Sequence, residues 1–70
     1  MKTMPQTLDR LATLLHDGPR SISSVRAGMM PEGYTGEQIE EAARILNVKL
    51  AYVGKGRSKM PAWQLPVKLS

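Results

Sequence analysis

Gly54-Lys55-Gly56-Arg57-Ser58-Lys59 lies between two apolar runs, Val48-Lys49-Leu50-Ala51-Tyr52-Val53 and Met60-Pro61-Ala62-Trp63-Gln64-Leu65. Two strand-forming runs joined by a glycine-bearing stretch predict a β-hairpin, with strands at about 49–54 and 61–66 and a tip at about 54–59. The tip holds three cations and no anion. Pro61 has no N–H for a ladder, which confines it to a strand start or an edge and predicts a second strand exposed along one side. Trp63 is expected to pack from the hairpin onto the core.

The residues before the hairpin read as helical. Pro5 suits a helix start, because its missing N–H costs nothing in a first turn. Leu8, Leu11, Ala12, Leu14 and Leu15 recur at helical spacing, and Asp17-Gly18-Pro19 stops the pattern. A first helix is predicted at about 5–16. Arg20-Ser21-Ile22 reads as a short extended connector, with Ser21 or Ser23 as cap of a second helix at about 23–30. That helix should turn Val25, Met29 and Met30 inward and Arg26 outward. Thr35-Gly36-Glu37-Gln38 has the form of a capping box and opens a third helix at about 36–47. Ile39, Ala42, Ala43 and Leu46 share its inner face, Glu37, Glu40, Glu41 and Arg44 its outer face, and Asn47 suits a left-handed stop. Met29, Met30 and Met60 are expected to fill core gaps in a chain without phenylalanine.

Seventy residues make a single domain, 1–70, with a small core. There is no cysteine, so disulfides and thiolate metal sites are excluded, and one histidine with scattered carboxylates is too little for structural zinc. No run approaches the roughly 20 apolar residues of a membrane span, and the N-terminus lacks the apolar stretch of a signal peptide. An intracellular, cytoplasmic protein without cofactor or metal is expected. His16 and the nearby serines read as helix-end and cap residues, and no carboxylate is placed to complete a triad. Gly54-Lys55-Gly56 lacks the strand-to-helix context of a phosphate-binding loop.

The net charge is +4, and residues 51–70 hold four cations and no acid. The excess therefore sits in the hairpin and the tail. A one-sided basic surface favours a polyanion, nucleic acid first; a charged tip kept for solubility is the plainer alternative.

Helix, connector, helix, turn, helix and basic hairpin, in this order from Leu8 to Leu65, resemble a winged helix-turn-helix domain. Gly18-Pro19-Arg20-Ser21-Ile22-Ser23 resembles the turn and one-residue strand between that family's first two helices. Leu46-Asn47-Val48 resembles its exit from the third helix, and the 54–59 loop resembles the wing. The resemblance implies a small α+β fold of three helices followed by a two-stranded wing. It also implies binding of double-stranded DNA, as a transcriptional regulator or a replication or recombination accessory factor that is nucleoid-associated and works as a homodimer or on a larger protein complex. Lys55, Arg57 and Lys59 would then neutralise phosphates, with Arg57 the candidate for the minor groove. The third helix departs from the pattern, since Glu37, Glu40 and Glu41 would face phosphates. Candidates for base or backbone contact reduce to Thr35, Gln38 and Arg44, with Arg26, Tyr34 and Thr35 around the turn. The alternative is an interaction module, such as a phage-type regulator or inhibitor, that binds a protein through the acidic helix face. The first helix and the 66–70 stretch are the expected dimer surfaces.

Overall fold

The structure is a computed structural model that describes residues 2–66. It is a small α+β arrangement of three helices and a three-stranded antiparallel sheet. Its elements are α1 (Met4–Leu15), β1 (Arg20–Ser21), α2 (Ile22–Met29), α3 (Gly36–Ile45), β2 (Lys49–Val53) and β3 (Met60–Gln64). Short 3-10 turns follow α2 at Met30–Glu32 and cross the hairpin tip at Gly56–Ser58. The order is compatible with a winged-helix layout.

Local chemistry sets the helix ends. Thr3 caps α1, accepting a hydrogen bond from the Gln6 N–H while the Gln6 side chain accepts from the Thr3 N–H. This capping box starts the helix one residue ahead of Pro5. Ser21 caps α2 by accepting from the Ser24 N–H at 3.2 Å. Ile22, expected in an extended connector, is therefore already helical. The expected capping box of Thr35 and Gln38 is present at α3. The exit from α3 is a Schellman motif. Asn47 takes φ 57, its N–H donates to the Arg44 carbonyl, and the Val48 N–H donates to the Ala43 carbonyl. This ends α3 at Ile45, two residues before the expected end, and points the chain straight into β2.

The expected hairpin is formed by β2 and β3, and a third strand joins it. β1 adds antiparallel to β3, so the sheet order is β1-β3-β2, with Arg20 opposite Trp63 and Ser21 opposite Ala62. β3 is thus central along that half. Pro61 pairs with Tyr52 on one side and lies beyond the two residues of β1 on the other. The open edge that proline demands is kept by making β1 short.

Leu11, Leu15, Val25, Met29, Tyr34, Ile39, Ala42 and Ala43 form the buried core, with Trp63, Leu65, Leu46 and Val48 packed against it. Thr7 is also buried, and its hydroxyl donates to the Thr3 carbonyl at 2.7 Å. Two methionines expected inside are outside: Met30 is 49% and Met60 45% exposed. Met30 has left α2 for the 3-10 turn, and Met60 closes the hairpin away from the helices.

The hairpin tip depends on Gly54. It holds φ +117, and a Cβ there would lie 2.5 Å from the Ser58 carbonyl oxygen, whereas Gly56, at φ +58, has open space around it. Gly54→Ala is expected to destabilise by about 2–3 kcal/mol, and Gly56→Ala by only about 1 kcal/mol. Urea denaturation of the two variants checks the difference.

Candidate nucleic-acid interface

The helical arginines are occupied. Arg10 makes a fork to Glu32, with Nε and Nη2 donating at 2.9 and 3.1 Å, and joins α1 to the 3-10 turn. Arg26 on α2 donates to Glu40 on α3 at 3.0 Å. Arg44 pairs with Glu41 one turn back, its Nε donating at 3.2 Å and its Nη2 donating to the other carboxylate oxygen. Glu40 and Glu41, both expected near Arg44, thus divide between two arginines. Exposed pairs of this kind add little stability. Their consequence is electrostatic, because each cancels a cation that a phosphate could have used.

The cations of the sheet are not occupied. Among the described residues, Lys49, Lys55, Arg57 and Lys59 are exposed and no carboxylate lies in ion-pair distance of them. Arg20 on β1 donates to the Leu14 carbonyl at 3.1 Å, a neutral partner that leaves its charge uncompensated. No acid occurs in β1 or from Lys49 to Pro66. All six acids of the chain lie instead at Asp9, Asp17, Glu32, Glu37, Glu40 and Glu41, on the helices or the turns that join them. Arg20 and Lys49 were not among the residues expected at an interface, since only the β1–β3 pairing brings Arg20 to the sheet.

The expected contact residues of the turn and of α3 fare differently from those of the tip. Tyr34 is buried with 7% of its surface exposed, and Lys2 Nζ sits 5.2 Å from its ring centroid. Its ring is a core group with a cation over it rather than a surface contact. Thr35 spends its hydroxyl on the Gln38 N–H. Gln38 has both ends of its amide engaged: Oε1 accepts from the Thr35 N–H at 3.0 Å and Nε2 donates to the Lys2 carbonyl at 2.8 Å. Arg26 is half-buried, and its Nε is buried without a partner. The outer face of α3 therefore presents two neutralised pairs and a Glu37 with no ion-pair partner among the described residues.

Two apolar features adjoin this surface. An open groove of about 540 Å³ is lined by Ile45, Leu46, Leu65 and Pro66. Leu50 and Tyr52 are 63% and 62% exposed on β2. His16 is exposed, with Nδ1 3.6 Å from Asp17. Among the described residues no cluster of three or more His, Asp or Glu could hold a metal ion, and no helix is long and apolar enough to cross a membrane. The 67–70 part of the expected dimer surface, which includes Lys68, lies outside the described residues.

Comparison of the chain with protein-family models, curated proteins and solved structures gave no match in any of the three.

Two measurements probe these contacts. Gln38→Ala removes a reciprocal cap and the tie to Lys2, and should lower stability by about 1 kcal/mol in thermal unfolding. The hydrogen bond from Arg44, then its charge, holds the Glu41 carboxyl below the usual glutamate range. A folded-state pKa depressed in this way gives a contribution present above the unfolded pKa and lost as pH falls through the folded one. Carboxyl NMR titration of Arg44→Ala should show Glu41 moving back up.

Proposed function

We propose that the chain is a small winged-helix protein that binds double-stranded DNA chiefly through its basic wing, as a regulator or a replication or recombination accessory factor. The observation that carries this reading is the division of charge. Arg10, Arg26 and Arg44 are matched by glutamates, while Lys49, Lys55, Arg57 and Lys59 stand unmatched among the described residues. Phosphates would meet these free cations and release condensed counterions. In this reading α3 contributes little to affinity, because its outer face is neutral to negative. No catalytic role and no cofactor are proposed. A dimer would double the contacts, and the groove that ends at Pro66 offers an apolar surface for it that leaves the wing free.

A second reading has an observation of its own. Glu37 is exposed and has no ion-pair partner among the described residues, and Ile45 at the other end of α3 is 50% exposed. An acidic helix face with an apolar end suits a protein partner.

Mobility shifts on duplex DNA across a salt series separate the two. Under the DNA reading, Arg57→Glu weakens binding by roughly tenfold or more and flattens the salt dependence, while Glu37→Gln leaves binding unchanged or tightens it. Absence of any shift for the wild type near 50 mM salt, a condition that favours phosphate contacts, would end the DNA reading and leave α3 as the surface to pursue.

A further inference from the structure

The chain has three aromatic side chains, Tyr34, Tyr52 and Trp63. Tyr34 is buried in the core and Trp63 packs against it. Tyr52 instead stands 62% exposed on β2. Its position is set by the sheet. Leu50 is opposite Trp63 and Tyr52 is opposite Pro61, so all four side chains share one face. Trp63 meets the core at the inner end of that face, and Leu50 and Tyr52 continue it outward along a strand that nothing pairs on its other side among the described residues. Lys55 follows Tyr52 by three positions, at most ~11 Å of chain, with Arg57 and Lys59 following in the same loop.

An exposed ring beside free cations is the pairing that holds unstacked nucleotides: the cations take the phosphates and the ring takes a base face. A continuous duplex hides its base faces within the stack. Resting on the DNA reading above, we infer that the wing's partner carries unpaired bases. The site takes DNA at a junction of duplex and single strand, with Lys55, Arg57 and Lys59 on phosphates and Tyr52 stacked on an unpaired base beside Leu50. The exposed Leu50 is explained by the same partner, since it would abut the sugar and base edge next to the stacked ring.

The test is fluorescence anisotropy at fixed salt with three probes of equal phosphate count: a blunt duplex, a duplex with a single-stranded overhang, and the same overhang made abasic. The wild type should prefer the overhang by about tenfold. The preference should vanish on the abasic probe, vanish in Tyr52→Leu and survive in Tyr52→Phe. Circular dichroism and thermal unfolding establish that both variants fold. Arg57→Glu should weaken binding to all three probes. A preference that persists on the abasic probe or in Tyr52→Leu would assign it to phosphates or flexibility and overturn the stacking role. Duplex binding with no overhang preference overturns this inference and leaves the DNA reading standing. Failure to bind any probe removes both.

Discussion

A two-stranded hairpin is marginal in water on its own, and in this chain the remedy is two residues long. Arg20 and Ser21 pair with Trp63 and Ala62, and Ser21 then caps α2. One dipeptide thus joins the sheet ladder and starts a helix. Trp63, the partner of Arg20, packs against the helical core, so the hairpin is anchored by backbone bonds on one strand and by a large side chain on the same residue pair. The tip lies beyond this anchor, where β1 has ended and Pro61 needs no partner. Rigidity at the base and a loop at the end follow from the same short strand.

The distribution of charge follows from the same architecture. Helices place residues three and four apart side by side and pack against one another, so a cation on a helix of this domain readily finds a carboxylate. Arg44 finds Glu41 within α3, and Arg26 finds Glu40 across the α2–α3 contact. The hairpin has no acid to offer and extends away from the helices that do. Arg20 is the instructive intermediate, since it reaches back to the helical layer and meets only the Leu14 carbonyl. A formal charge of +4 therefore understates the field at the hairpin tip, because the negative contribution is held elsewhere.

Much of the fold was legible because its punctuation is local. The α3 capping box, the left-handed Asn47 and the glycine-bearing tip each act within a few residues, and each is present. What was not legible depends on distance. A short strand within 18–23 was implied by the family resemblance alone, and its pairing of residues 20–21 with 62–63 is not revealed by any pattern within either stretch. Tyr34 was named as a contact because it lies in the turn before α3, yet it is buried, with Lys2 from the N-terminal end of the chain over its ring. Gln38 looked like a groove contact, but the Lys2 carbonyl takes its amide. Met30 was placed inside on the spacing of the second helix and Met60 as a gap filler in a chain without phenylalanine, and the 3-10 turn and the hairpin closure carry them out. For the candidate site, the cations of the tip could be read directly from the sequence. Their freedom from acidic partners could not, because that depends on which arginines the glutamates choose.

This division also limits what electrostatics can do for the molecule. If each of Arg20, Lys49, Lys55, Arg57 and Lys59 met one phosphate, the logarithm of the binding constant would fall with the logarithm of salt with a slope of about −4 to −5. That is enough for attachment to a polyanion but carries no choice among sequences or shapes, because phosphates are alike everywhere. Choice needs uncharged groups that see bases. α3, where the family resemblance implied base reading, has its amide engaged and its arginine paired. Among the described residues, the exposed uncharged side chains near these cations include Leu50 and Tyr52 on β2, with Ser58 and Met60 in and beside the tip. On the DNA reading, the ring of Tyr52 is the one aromatic face among these groups, and β2 as an edge strand leaves it open.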